Sequence, residues 1–215
     1  MQVKTVRNMR YRRVPDETVR RLPLYLRGIL YFSNQGKENI CSKDLADFLG
    51  VNPWQIRKDF SFFGGFGVPG TGYDTGKLLK ECNKILKLAS GHKAALVGVG
   101  NLGSAVLAYQ GFKQYGFNIV AAFDNDLKKI GRKINNILVE DVSNIHTLKK
   151  KNVHVAIIAV PREAAQQIAD LLVGAGIKGI LNFSPSDVVV PKKVKVITID
   201  IAMDLARLPY YISTD

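Results

Sequence analysis

Apolar residues recur along this chain with two different periods. Between residues 16 and 63 the spacing is helical. "DETVRRLPLYLRGILYFS" places Val19, Leu22, Leu26, Ile29 and Leu30 on one stripe, the repeat of an amphipathic helix. It ends in the turn "NQGKEN". "SKDLADFLG" predicts a short helix with Ser42 as N-cap and Gly50 as its stop. "NPWQIRKDFSFFGG" follows, with Asn52 in the cap position and Pro53 at the first helical position. A short helix, a tight turn and a capped third helix predict a helix-turn-helix. "GGFGVPGTGY" then holds too many glycines for a helix and predicts a two-strand ribbon or a loop, in the place of the wing of a winged helix. Asp74 opens a linking helix through about Ala89, with Leu78, Leu79, Cys82, Ile85 and Leu86 on its apolar side.

From Ala94 the pattern changes. "AALVGVG", "NIVAAFDND", "VHVAIIAV", "KGILNF" and "KVITID" are continuous apolar runs, which suit strands buried on both faces. Between them lie the helical stretches "NLGSAVLAYQ", "SNIHTLKKK" and "REAAQQIADLLVGAG". Strands and helices alternating in this way predict an α/β domain with a doubly wound, Rossmann-type parallel sheet. "IAMDLARLPYYI" closes the chain as one helix. The expected division is a winged-helix domain with its linking helix over 1–90, a dinucleotide-binding domain over 91–199 and a C-terminal dimerisation helix over 200–215.

Charge sharpens this division. The 215 residues carry a net charge of +13. Residues 1–93 hold 17 Lys and Arg against 8 Asp and Glu, and residues 94–215 hold 14 against 10. A basic first half suggests a footprint for nucleic acid. Hydrophobic content of 47% and charged content of 23% are those of a soluble globular protein. No apolar run is long enough to span a bilayer, and "MQVKTVRNMRYRR" lacks the apolar core of a signal peptide, so a cytoplasmic protein is expected. Cys41 and Cys82 stand far apart, which predicts buried thiols rather than a disulfide or a metal site.

Within "ALVGVGNLGSA", Gly98, Gly100 and Gly103 have G-x-G-x-x-G spacing. The first permits the tight turn, the second lets pyrophosphate approach the backbone, and the third lets helix and strand pack closely. Val99, Asn101 and Leu102 fill the turn. The run follows an apolar strand, opens a helix, and is followed after about 20 residues by Asp124 at the end of the next strand, where the fingerprint places the acid that binds the ribose diol. Asp124 favours NAD(H) over NADP(H), and Lys128 and Lys129 are expected to be solvated. Val160 and Pro161 offer a second lip over the dinucleotide. In "LNFSP", Asn182 and Ser184 are candidates for the nicotinamide carboxamide, with Phe183 and Pro185 beside them. No catalytic residue emerges: His92, His146 and His154 lie away from the carboxyl edge of the sheet, and the Tyr-x-x-x-Lys spacings Tyr73–Lys77 and Tyr109–Lys113 are misplaced relative to the glycine turn.

On the third helix, Ile56, Phe60 and Phe63 share the inward face. Trp54, Arg57, Lys58 and Ser61 lie opposite, as a face that enters a major groove does. Arg57 is a candidate for guanine or phosphate, Lys58 for phosphate, and Gln55 for adenine. Phe62, Gly65, Gly67, Gly70 and Tyr73 complete the candidate DNA surface. Arg7, Arg10, Arg12 and Arg13 form a basic arm.

In combination, "RLPLYLR", "QIRKDFSFFGGFG", "GVGNLGSA", "FDND", "AVPREAA" and "GIKGILNFSP" resemble, in order and over nearly the whole chain, the bacterial redox-sensing transcriptional repressors of the Rex family. One departure stands in the wing, where "PGTGY" with Pro69 replaces a basic residue of many relatives. The resemblance implies a homodimer on palindromic operator DNA, released by NADH, with NAD⁺ competing at the same site. It implies repression of genes for fermentation and NADH reoxidation when NADH is scarce, and a C-terminal helix swapped into the partner subunit. It also implies a coupling set of Arg27, Tyr109 and Asp200. Two other readings stay open from the residues: a small NAD-dependent oxidoreductase with a basic N-terminal extension, and a CoA- or nucleotide-binding scaffold.

Overall fold

The computed structural model describes residues 14–212, so the basic arm at Arg7 to Arg13 lies outside the described residues. The chain divides into two compact units between Ala89 and Ser90.

In the first unit, α1 (Asp16–Asn34) buries Leu22, Tyr25, Leu26 and Ile29, which are the i, i+3, i+4 and i+7 positions of one face. Val19, expected on that stripe, is 43% exposed, and Tyr25 takes a place in the core instead. β1 (Asn39–Ile40) leads to α2 (Ser42–Leu49). Its cap is Cys41 rather than Ser42: the thiol accepts from the Asp44 N–H while the Asp44 carboxylate accepts from the Cys41 N–H. This is a reciprocal capping box with sulfur in place of the usual hydroxyl. Gly50 stops the helix in the left-handed conformation. α3 (Pro53–Ser61) begins at Asn52, whose side chain accepts from the Trp54 N–H. β2 (Tyr73–Asp74) pairs antiparallel with β1. α4 (Thr75–Ile85), capped by Asp74, is shorter than expected; Lys87 takes a positive φ of 56° and a 3₁₀ turn at Leu88–Ser90 follows.

The second unit is a seven-stranded sheet. Its strands are β3 (His92–Val97), β4 (Phe117–Asp124), β5 (Lys133–Ile134), β6 (Ile137–Asp141), β7 (Val155–Ile158), β8 (Gly179–Asn182) and β9 (Lys195–Thr198). They stand in the order β5-β6-β4-β3-β7-β8-β9, all parallel except β5. The order reverses between β3 and β7, the switch point at which such sheets bind ligands. The β5–β6 hairpin was not among the expected elements. Its turn residues Asn135 and Asn136 both have positive φ, as a two-residue primed turn requires. α5 (Asn101–Ala108) covers one face over Leu96, Ala122 and Val139. α6 (Gly111–Gln114) is a single turn before β4. α7 (Arg162–Gly174) and the segment Val142–Lys149, a 3₁₀ helix rather than an α-helix, cover the other face over Ala95, Val97, Phe123 and Ile158. The C-terminal stretch is not one helix but two, α8 (Ile201–Leu205) and α9 (Leu208–Tyr211). Pro209 has no N–H to continue the ladder of α8 and sits where it is tolerated, in the first turn of α9.

Candidate dinucleotide cleft and recognition helix

Two of the three glycines of the turn, Gly98 and Gly103, are demanded by geometry. Gly98 has a φ of +91°, and an added Cβ would collide with the carbonyl oxygen of Ala159 on the neighbouring strand connection. A Cβ on Gly103 would strike the Gly98 carbonyl, so this residue allows α5 to lie against β3. Gly100 is the N-cap of α5 and faces open space. No side chain caps the first turn of α5, so its N–H groups and helix dipole are available to an anion. Asn101 and Leu102 are exposed on that turn, whereas Val99 is buried. The turn borders a cleft of about 510 Å³ that Asp124, Lys129, Val160 and Pro161 also line.

Asp124 ends β4 at this cleft and is only 5% exposed. Its Oδ2 accepts from the Val99 N–H at 2.7 Å, its Oδ1 accepts from the Asp126 N–H at 2.9 Å, and Lys129 Nζ donates to Oδ2 from 3.2 Å. Burial alone would raise its pKa; the two backbone N–H groups and the Lys129 ammonium outweigh that and hold it below the ordinary value. Lys129 is therefore not the solvated side chain expected from sequence but the counter-ion of Asp124, with Asp126 a further 3.7 Å contact. Lys128 is exposed.

The "LNFSP" segment differs from expectation. Asn182 is fully buried, its amide donating to the carbonyls of Ser184 and Ser186 and its oxygen accepting from the Ser184 N–H. Ser184 Oγ donates to the Val160 carbonyl. Both side chains thus tie the strand-end loops together instead of offering a free polar group to a carboxamide. Phe183 packs on the α5 face of the core, and the Pro185 carbonyl accepts from Arg162 Nε at 2.9 Å.

On α3, Ile56 and Phe60 are buried, Phe63 is half-buried, and Trp54, Arg57, Lys58 and Ser61 are exposed. Lys58 Nζ lies 4.7 Å from the Trp54 ring centre and Arg57 donates to Ser42 Oγ at 2.8 Å. What the pattern missed is Asp59. It is wholly buried and takes hydrogen bonds from Thr18 at 2.8 Å, Tyr25 at 2.6 Å, Gln55 at 3.0 Å and both Arg21 Nε and a terminal nitrogen at 2.7 and 3.0 Å. Burial works to raise its pKa, but these donors, Arg21 foremost, bring it down to about 2. Gln55 is accordingly committed to Asp59 and does not point outward to read adenine. Only the i, i+4 spacing of Gln55 and Asp59 hinted at this. Tyr73, expected at the DNA surface, is 8% exposed and packs edge-on to Phe60. Phe62 is half-buried at the end of α3, while Gly65, Gly67 and Gly70 are exposed. The wing tip is a tight turn: the Thr71 and Gly72 N–H groups donate to the Val68 carbonyl, and Gly70 has a φ of +80°. Pro69 and Gly70 occupy the two central positions, the residue types a type II turn favours there, so the Pro69 departure is compatible with the wing.

Arg27 is exposed on α1, and Tyr109 is exposed just past α5 with its ring edge-on to Phe112. Asp200 caps α8, accepting from the Ala202 and Met203 N–H groups at 3.0 and 3.1 Å. Among the described residues no cluster of side chains could hold a metal ion, and no helix is long and apolar enough to cross a membrane.

Residues 13–61 match a family described as "Putative DNA-binding protein N-terminus", and residues 90–186 match one described as "CoA binding domain". The second description bears on the scaffold reading, but relatives matching nearly the whole chain decide between the two. The redox-sensing transcriptional repressor Rex of Chloroflexus aurantiacus is 43% identical over 94% of this chain and 95% of its own length. That of Carboxydothermus hydrogenoformans is 43% identical over 94% and 98%. Among solved structures, RSP in complex with NAD⁺ and operator DNA superposes with a TM-score of 0.87 at 35% identity, covering 92% of each chain. RSP in complex with NADH gives 0.85 at 34% identity, over 93% of this chain and 94% of that one. The relatives carry the name of a repressor and not of an oxidoreductase, and on this sequence identity across its length the chain belongs to the Rex family of redox-sensing transcriptional repressors.

Proposed function

We propose that this protein represses transcription by binding palindromic operator DNA as a homodimer in the cytoplasm and releases it when NADH occupies the cleft. The observation that carries this reading is the pairing, in one chain, of an anchored Asp124 beside the glycine turn with an exposed cationic face on α3. The pyrophosphate is held by the N–H groups at Gly100 to Gly103. The adenosine ribose diol is taken by Asp124 in exchange for Lys129, and Val160 and Pro161 form the opposite lip. On DNA, Arg57 reads a base edge or phosphate, Lys58 and Ser61 contact phosphate, and the wing glycines follow the backbone. A second copy fits the sheet: on the α5 face, β7, β8 and β9 leave a furrow of about 280 Å³ lined by Ile157, Leu181 and Ile197. Ile201, Met203, Leu205 and Tyr211 on α8 and α9 are more than half exposed, and the partner's helices are suited to cover such a surface. Arg27, Tyr109 and Asp200 form the coupling set, Asp200 exchanging between its cap and a partner among the other two.

The test is an electrophoretic shift on palindromic promoter DNA. A shift without dinucleotide that is reversed by NADH, and less so by NAD⁺, is expected. DNA binding indifferent to NADH, or turnover of NADH by the protein, would overturn the reading.

A further inference from the structure

Five adjacent strands, β4, β3, β7, β8 and β9, run parallel. They therefore enter the sheet from one edge, opposite the cleft. The segments that lead into them are 109–116, 88–93, 149–154, 174–178 and 188–195. Together these hold nine lysines and no Asp or Glu. The acids Asp124, Asp141, Glu163, Asp187 and Asp200 all lie at or beside the other ends of the strands. The segments at the strand-entry edge thus carry lysines and no acids, whereas the cleft edge carries acids together with cations such as Lys129 and Arg162.

The cations come from unrelated segments: "KKK" at 149–151, "KK" at 192–193, and single lysines Lys93 and Lys178 at the starts of β3 and β8. Lys151 is tied to Glu140 at 2.6 Å, but Lys93, Lys149, Lys150, Lys178, Lys192 and Lys193 have exposed side chains. With strands about 4.8 Å apart, the row is roughly 19 Å long. Over 149–154, 174–178 and 188–195, which carry seven of the nine lysines, it offers point charges without arginine forks or aromatic platforms. That chemistry suits a regular polyanion recognised by charge alone, and duplex DNA, with one phosphate charge per ~1.7 Å of axis, is such a polyanion.

We propose that this lysine edge is a second, sequence-independent contact for duplex DNA phosphates, distinct from α3 and the wing. The DNA is either the flank of the bound operator or another duplex. The inference rests on the operator-binding reading, but its test separates the two. Lys149, Lys150, Lys192 and Lys193 are all changed to Gln in the full chain; all four are exposed, so folding is expected to be kept, and an unchanged melting curve and NADH affinity check this. Binding is measured over a salt series to a duplex of operator length, to the same operator with long flanks, and to a random duplex.

The expected result is that the variant binds the short operator as the wild type does. On one or both of the other duplexes it loses about tenfold in affinity and lowers the salt slope by about 2 to 4. Loss on the flanked operator identifies the flank. Loss confined to the random duplex, together with loss of its capture by operator-bound protein, identifies a second duplex. Identical affinities and salt slopes for both proteins on all three duplexes would overturn the proposal. If neither protein prefers operator to random DNA, the operator reading fails, while the random-duplex arm still decides the lysine edge.

Discussion

Asp59 on α3 and Asp124 at the end of β4 are both all but excluded from water, at 0% and 5% exposure. Both are held below the ordinary carboxylate pKa by donors that outweigh burial. Their surroundings differ. Asp59 is enclosed by four side chains of α1 and α3 and has no remaining access, so its charge locks α3 onto α1. Asp124 is held by two backbone N–H groups and the partly exposed ammonium of Lys129, and it borders a cleft. The same group is a strut where its donors are side chains on two helices, and under the proposed function it is a ligand acceptor where it borders a cleft. A buried carboxylate therefore announces function only through what its partners can do.

Breaking the strut is expected to have the largest effect. Asp59→Ala leaves Arg21 and the buried Tyr25 hydroxyl without their acceptor and should destabilise the first unit by about 3–5 kcal/mol in urea unfolding. The pH dependence has a definite sign. Folding depresses the Asp59 pKa to about 2, so the unfolded chain takes up the proton first as pH falls. The contribution, on the order of 2 kcal/mol, is complete above roughly pH 5 and is lost as pH drops toward 2. Asp59→Asn should flatten that part of the stability curve; an unchanged acid limb would show that the network carries no such weight.

Next in size is the exposed face that the strut holds in place. Arg57→Ala should weaken operator binding by about 1–3 kcal/mol in each half-site while leaving NADH affinity alone. A filter-binding titration unchanged by the substitution would remove Arg57 from the interface. On the ligand side, Asp124→Ala should cost about 1.5–3 kcal/mol of NADH binding and narrow the preference over NADPH, measured by calorimetry with both dinucleotides. Equal affinity of the unaltered protein for NADH and NADPH would count against Asp124 as the ribose acceptor.

The smallest effect concerns the link between the two regions. Asp200→Ala should cost about 1 kcal/mol of cap stability and reduce the factor by which NADH weakens operator binding, a coupling of about 1–3 kcal/mol. Operator dissociation constants at zero and saturating NADH give that factor. The same factor in wild type and variant would leave Asp200 as a cap alone.

Much of this protein was legible from one dimension. Helical and continuous apolar periods distinguish the two units because burial on one face or on two is written into the spacing itself. The glycine turn was readable because a positive φ and a close backbone approach admit almost no other residue. The Asn135–Asn136 turn carries a comparable local signal in its two adjacent asparagines. What required the tertiary structure were contacts between distant residues. Thr18, Arg21 and Tyr25 are 34 to 41 residues from Asp59, and no period relates them. Asn182 and Ser184 stand at the strand ends where a ligand-binding residue belongs, and only the fold shows their polar atoms already occupied by Val160, Ser184 and Ser186. The lysine edge is of the same kind: five short segments, each unremarkable alone, become one row because parallel strands must all enter from the same side. Local backbone preference and burial period act over a few residues and are read from sequence; hydrogen-bond satisfaction and charge grouping depend on which distant groups the fold brings together, and so are decided only in three dimensions.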